Sequence, residues 1–153
     1  MNQGENKSAI TTLRSALFLI LVLGMLGTGA ELLLLNHTED RFQWIPLMLI
    51  FLGLMAAGWH WACRSATSLR VLQAILIAFI ASGFAGMYFH YQGSVEFKLE
   101  SNPSLRGWDL FRQAIRNKAP PLLAPGAMIQ LGLVGLLFAY RHPAFAKFKE
   151  EGA

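Results

Sequence analysis

Residues 15–40 read SALFLILVLGMLGTGAELLLLNHTED, and this stretch decides the fold. The segment from Ser15 to Leu35 contains a single ionisable side chain, Glu31. As a helix rising about 1.5 Å per residue, it is long enough to cross the roughly 30 Å hydrocarbon core of a bilayer. A carboxyl group at the end of such a helix is costly unless it faces protein or water. Glu31 is therefore the first candidate functional residue.

The composition of the whole chain is that of a membrane protein. Of its 153 residues, 54% are hydrophobic and only 14% are charged, and the apolar residues come in long blocks. This indicates one integral membrane domain over residues 1–153. The net charge of +4 arises mostly next to the apolar blocks, which favours anionic lipid over nucleic acid as the partner. Cys63 is the only cysteine, which excludes an internal disulfide and redox chemistry by an internal cysteine pair.

Four apolar blocks predict the fold class. We expect an all-α integral membrane protein with four transmembrane helices in an antiparallel bundle. The predicted spans cover approximately residues 12–35, 44–62, 69–91 and 122–140, and residues 92–120 form the predicted extramembrane segment.

The extramembrane segment has two different periodicities. Residues 94–100 alternate apolar and charged side chains, which predicts a short extended piece that Pro103 ends. Over residues 104–117 the apolar side chains recur at helical spacing, opposite a charged face. This predicts a short amphipathic helix on the membrane surface or on a partner, with Trp108 and Phe111 as interaction residues.

The distribution of basic residues predicts the orientation. Arg64 and Arg70 lie in the loop between spans two and three, whereas the loop between spans one and two contains only Arg41. Short cytoplasmic loops carry more Lys and Arg than external ones. We therefore predict a multi-pass protein of a cell inner membrane, of the bacterial type, with both termini in the cytoplasm.

Small residues on every predicted span indicate close helix packing. In span three a stripe of small side chains recurs every four residues: Ala74, Ala78, Ser82 and Gly86. Lipid tails are as apolar as leucine, so helices associate in a membrane through close backbone approach and polar contacts. The stripe either holds one bundle together or docks a partner at Ala78, Ser82 and Gly86, and sequence does not separate these alternatives.

Polar side chains that could act chemically collect at the predicted outer membrane boundary. His37, Glu39 and Asp40 follow Glu31 closely, and His90 ends span three on the same predicted side. Glu31, His37 and His90 are therefore predicted to converge. Imidazole and carboxylate groups are suitable ligands for zinc and other first-row metals, so these three form a candidate metal site. No local spacing matches a known metal motif, and the main expectation is a protein without a cofactor.

The alternative interpretation of this boundary is structural. Gly24, Gly27 and Glu31 share one helical face, which predicts that the acid points into the bundle. Glu31 would then pair with Arg41 or accept hydrogen bonds from neighbouring helices. Asp40 or Thr38 would cap the start of span two.

Three classes of function follow from these patterns. The first is a non-enzymatic accessory or scaffolding subunit of a larger membrane complex, with the bilayer and other membrane subunits as partners. The second is a small transporter, or a metal- or proton-binding protein, that uses the outer Glu/His cluster. The third is an enzyme on a lipid or lipid-linked substrate, with His37, Glu39 and Asp40 as acid/base groups. The enzyme hypothesis requires these three side chains to line a cleft.

Overall fold

The computed structural model describes residues 3–117 and 123–145, and within these residues it is helical with no strand. The helices are α1 (Gln3–Leu34), α2 (Trp44–Cys63), α3 (Ala66–Ser101), α4 (Gly107–Ile115) and α5 (Gly126–Ala139). A single 3-10 turn, Arg41–Gln43, leads directly into α2. The prediction of an all-helical protein is confirmed for this part of the chain.

Three of the described helices are long and apolar enough to cross a membrane. They cover Gly4–Leu34, Arg41–Cys63 and Ala66–Ser101, so the predicted spans one to three each have a counterpart. The prediction of four spans in an antiparallel bundle is not confirmed. The described part of the fourth segment is the 14-residue helix α5, which at about 21 Å is shorter than the hydrocarbon core.

The helix α5 is nevertheless central to the packing. It packs mainly against α3 and also against α1. The buried core contains Leu21 and Met25 of α1, Ile50 of α2, and Leu76 and Phe79 of α3. Large apolar side chains also cover the outside of the long helices, as expected where lipid replaces water as the surrounding solvent.

Glycines on four helices permit the close contacts inside this core. A Cβ on Gly53 would lie 2.9 Å from both Met25 Sδ and Phe79 Cζ, and one on Gly83 would lie 3.0 Å from the carbonyl oxygen of Pro125. A Cβ on Gly24 would collide with Leu131. These small-residue faces therefore serve contacts within the chain, which is one of the two alternatives predicted for them.

The helix α3 extends far beyond its predicted end. It runs for 36 residues without interruption to Ser101, so the predicted extended piece over residues 94–100 is wrong. Seven residues that alternate apolar and charged side chains can also be accommodated in a helix. Glu, Lys and Leu are all good helix formers, and here they continue a helix already begun in the membrane. The helix ends at Asn102, whose extended backbone is typical of a residue that precedes a proline.

The helix α4 is the predicted amphipathic helix, shortened from residues 104–117 to Gly107–Ile115. It packs against the outer part of α3, with Ala114 fully buried. The ring centroids of Phe111 and Tyr91 lie 6.0 Å apart, and Asn117 Nδ2 donates a hydrogen bond to the buried Ser94 Oγ at 3.4 Å. One face of α4 is thus covered by protein.

Candidate functional site

A cleft of about 570 Å³ opens at the end of the bundle where α1 ends and α2 begins. We call it the outer cleft, after the side of the membrane on which the sequence predicts it to lie. Residues of α1, α2 and α3 line it, together with the start of the α5 segment. Most of its walls are apolar, and its described ionisable and polar lining residues are Thr28, Glu31, His37, Asp40, Gln43, Ser82 and His90.

Local hydrogen bonds fix the loop that forms the rim of the outer cleft. Asn36 has a left-handed backbone (φ 50°), which ends α1, and the His37 N–H then donates to the Leu32 carbonyl at 2.9 Å. Asp40 caps the following 3-10 turn, where its Oδ1 accepts from the Phe42 N–H at 3.4 Å. Gln43 Oε1 accepts from the Glu39 N–H at 2.8 Å. The predicted capping role of Asp40 thus has its counterpart in the structure.

The structure brings together the three residues predicted to converge. Glu31, His37 and His90 all line the outer cleft, and the two imidazole centroids lie 6.4 Å apart. Within residues 3–117 and 123–145, however, no group of three His, Cys, Asp or Glu side chains is placed to hold a metal ion. The convergence of these side chains therefore has support, whereas a metal among them has none in this part of the chain.

Glu31 faces a cleft that is lined by α1, α2, α3 and the start of the α5 segment. Its side chain is exposed on the wall of the outer cleft, and Gly27 on the same face is also exposed with open space around it. Only Gly24 of that face packs into the bundle. Among the described residues the carboxylate has no ion pair, so the predicted pair with Arg41 is absent there. The Arg41 guanidinium instead lies 5.2 Å from the centroid of the Phe42 ring.

Protonation of His37 is disfavoured by its surroundings. Partial burial lowers the pKa of its imidazole, and the neighbouring His90 lowers it further. The outer cleft therefore places the carboxyl groups of Glu31 and Asp40 beside an imidazole with a lowered pKa. Glu39 does not line the cleft, so the acid/base trio of the enzyme hypothesis is incomplete there.

The predicted interaction residues fall into two groups. Gly86 packs against Pro125, and Ser82 lines the outer cleft, so both serve contacts near α5. Ala78 is half-buried on α3. On α4, Trp108 is 72% exposed and stacks on Phe111 with ring centroids 5.1 Å apart. The aromatic pair thus remains accessible.

A second cavity, of about 390 Å³, lies at the opposite end of α2. We call it the inner cavity. His60 and His142 meet there with ring centroids 5.1 Å apart, although their positions are far apart in sequence. Arg14 Nη2 donates to the carbonyl of Arg141 at 2.8 Å, which ties α1 to the end of α5. One feature of the sequence indicated this cluster: both histidines lie at the predicted inner boundary of the membrane.

A serine network holds His60 in place. Ser65 caps α3 by accepting a hydrogen bond from the Ser68 N–H at 3.1 Å. Ser68 Oγ is fully buried and lies 3.0 Å from His60 Nδ1, and its hydroxyl donates to the Ser65 carbonyl at 3.0 Å. Because a hydroxyl has one proton, this arrangement assigns the donor role to His60 Nδ1. The network locks the short turn between α2 and α3.

The His142 environment predicts a loss of stability in mild acid. Burial, then His60, then Arg14 lower the pKa of His142 to about 4, against 6.5 in the unfolded chain. Between these two values the unfolded state binds more protons, so stability falls as the pH decreases from about 6.5 to about 4. We expect the melting temperature in detergent to fall between pH 7.5 and pH 4.5.

The variant His142→Asn separates this contribution from the titration of other groups. His142 Nδ1 accepts a hydrogen bond from the Ala144 N–H at 3.2 Å, and an asparagine oxygen can accept the same bond without titrating. The variant should therefore lose less melting temperature over this pH range than the wild type. Equal losses in both proteins would contradict the role of His142.

Comparison with protein-family models, with characterised proteins and with solved structures gives no match.

Proposed function

We propose that the protein is a non-enzymatic accessory subunit of a larger membrane complex and that it contacts its partner through α4. The observation that carries this proposal is Trp108, which is 72% exposed on a helix fixed against α3 and stacks on Phe111, whose ring in turn contacts Tyr91 of α3. Tryptophan and arginine are the residues most enriched where protein interfaces gain their binding energy. A Trp anchored on a packed helix also loses little conformational freedom on binding.

The charges beside the aromatic pair define the partner chemistry. Arg106, Arg112 and Arg116 accompany a single acid on α4, Asp109. Asp109 lies 3.8 Å from Arg112 in an exposed ion pair, which contributes little by itself. The surface is thus apolar at its centre and basic around it. It fits a membrane subunit whose extramembrane groove is apolar and bordered by acidic residues.

The test of this proposal is purification of the tagged protein from its native membrane in a mild detergent, followed by quantitative mass spectrometry. A partner should be recovered with the wild type at a fixed ratio of copies, and Trp108→Ala and Arg112→Glu should each reduce the recovery at least tenfold. Trp59→Ala is the matched control, because Trp59 is also an exposed tryptophan but lies at the other end of the membrane helices.

Two results would overturn the subunit proposal. One is a wild-type protein that purifies without any stoichiometric partner. The other is a partner whose recovery is unchanged by both α4 variants. If neither α4 variant changes the recovery of a partner and a lipid-borne quencher in proteoliposomes quenches the fluorescence of Trp108, α4 is a membrane-surface anchor.

For the membrane arrangement, we extend the proposal to an inner-membrane protein with both termini in the cytoplasm. Arg14, Arg64 and Arg141 lie around the inner cavity end, in agreement with the excess of basic residues on cytoplasmic surfaces. In this arrangement α5, with its flanking residues, completes a four-helix bundle. A single cysteine introduced at position 39 or at position 67 tests the orientation. A thiol reagent that does not cross the membrane should label position 39 in intact cells, and it should label position 67 only after the cells are opened. The Cys63→Ser background keeps each new thiol unique.

A second candidate function is a small transporter that uses the outer cleft. The observation in its favour is that Glu31, His37 and His90 line a single cavity. On this hypothesis Glu31→Gln abolishes transport while folding is retained. For an accessory subunit the same change is nearly silent, because the Glu31 side chain makes no ion pair with the described residues.

A further inference from the structure

The outer cleft has the size and composition of a site for a small molecule. Its volume of about 570 Å³ lies within the range of roughly 300–1,000 Å³ that ligand pockets occupy. Its walls are mostly apolar, with Leu32, Leu35, Ile45 and Met128 among them. A ligand that fills it must therefore carry a substantial apolar body.

The outer cleft contains two carboxyl groups and no permanently cationic side chain in the described part of its lining. Glu31 and Asp40 contribute the carboxyl groups, the imidazoles of His37 and His90 are the basic groups among the described lining residues, and no Lys or Arg is among them. Arg41 follows Asp40 directly in the sequence, and its guanidinium lies over the Phe42 ring. An anionic ligand would meet like charge here, whereas a cation would meet an opposite charge in a site of low dielectric constant.

An aromatic wall adds to the attraction for organic cations. The Phe42 and Phe89 rings line the cleft with their centroids 5.5 Å apart and an interplanar angle of 28°. Because the Arg41 guanidinium already lies over the Phe42 ring, we expect the two rings to offer flat apolar surface to the body of a ligand, in addition to the attraction of the Phe89 ring for a cation. A small hydrated metal ion would not use these walls, but an organic cation would contact both the rings and the apolar lining.

We propose that the outer cleft binds an amphiphilic organic cation, with the Glu31 carboxylate as its counter-charge and with Phe42 and Phe89 against its body. Asp40 is less available, because its Oδ1 accepts the capping hydrogen bond from Phe42. This inference deepens the second candidate function by naming its ligand class. It concerns binding alone and therefore does not require transport.

The test uses two probes of matched shape and opposite charge. Tetraphenylphosphonium is an amphiphilic cation, and tetraphenylborate is an anion of nearly the same size. Equilibrium dialysis of the purified full chain in detergent, with detergent alone as the blank, should show saturable binding of about one phosphonium per chain. Borate should show only the partition seen in the blank.

Two variants locate the bound cation. Glu31→Gln should weaken phosphonium binding about tenfold or more, which corresponds to at least 1.4 kcal/mol. Glu39→Gln is the matched control, since it removes the same charge from an exposed residue of the loop that follows α1, and Glu39 does not line the cleft. This variant should bind as the wild type does. Ala85→Phe keeps every charge but fills the cleft from α3, and it should also weaken binding.

The possible outcomes separate the proposals. The cation site is overturned if the wild type binds no phosphonium above the blank, if borate binds equally well, or if Glu31→Gln and Ala85→Phe both bind as the wild type does. Melting curves show whether each variant is folded. If Glu31→Gln does not fold, the binding measured with Ala85→Phe decides whether the cation site exists. Saturable binding without flux in proteoliposomes would retain the cation site and remove the transporter hypothesis.

Discussion

Replacing Gly132 by alanine is expected to lower the free energy of unfolding by about 1–3 kcal/mol, the usual cost of overpacking a well-packed core. A Cβ at this position would lie 2.7 Å from the carbonyl oxygen of Leu76 and 2.5 Å from Cγ1 of Ile80. The Ile80 side chain can rotate away, but the Leu76 carbonyl belongs to the backbone of α3. The two helices must therefore separate, and their contact is the most extensive in the described part of the chain.

The control for this prediction is Gly58→Ala. Gly58 lies inside α2, and a Cβ there would meet nothing within 4 Å. Both substitutions add the same methyl group inside a helix and gain the same intrinsic helix propensity. Unfolding by added SDS in mild detergent micelles, followed by tryptophan fluorescence, should show a lower midpoint for Gly132→Ala only. Equal midpoints would contradict the close approach of α3 and α5.

Removing the hydroxyl of Ser68 should be the most damaging polar substitution. Ser68→Ala removes the partner of the buried His60 Nδ1 and the acceptor for the Ser65 hydroxyl. A buried donor left without a partner costs about 1–3 kcal/mol, and we expect the stability to fall by that amount. Thr67→Ala is the matched control, because Thr67 is the exposed neighbour in the same helical turn.

A double-mutant cycle attributes the effect to the correct pair. In a His60→Leu background, Ser68→Ala should be much less destabilising, because the imidazole that lost its partner is already absent. If Ser68→Ala costs the same in both backgrounds, the interaction with His60 contributes nothing and the hydrogen bonds between the Ser68 hydroxyl and Ser65 account for the loss.

The membrane class and the long helices could be predicted because hydrophobic length is a local property. Residues 15–35 are apolar over enough consecutive positions to cross a bilayer, whatever the rest of the chain does. The capping role of Asp40 is local as well. The end of α3 could not be predicted in this way, because the alternation over residues 94–100 fits a strand and a continuing helix equally well until α4 is known to pack there.

The candidate sites depended on contacts that spacing does not contain. That Glu31, His37 and His90 share one end of the molecule followed from topology, and the structure places all three in the outer cleft. The packing of the glycines beside Glu31 did not follow, since Gly24 and Gly27 lie on one helical face but only Gly24 meets a neighbour. The meeting of His60 with His142 depends on how α2 and α5 are rotated about their axes. Sequence periodicity without clear amphipathicity does not fix that rotation.

The unbroken course of α3 also has a mechanical consequence. With 36 residues it is a single rod of about 54 Å that runs from the capped turn at Ser65 to the segment carrying α4. No proline interrupts it, and the α-helix is continuous through the Ser82–Gly83 and Gly93–Ser94 pairs, so a movement of one end is transmitted to the other. A tilt of about 5° around the inner end would displace the outer end by roughly 5 Å, given that length. The helix thus acts as a lever that converts small rearrangements among the membrane helices into large displacements of Trp108.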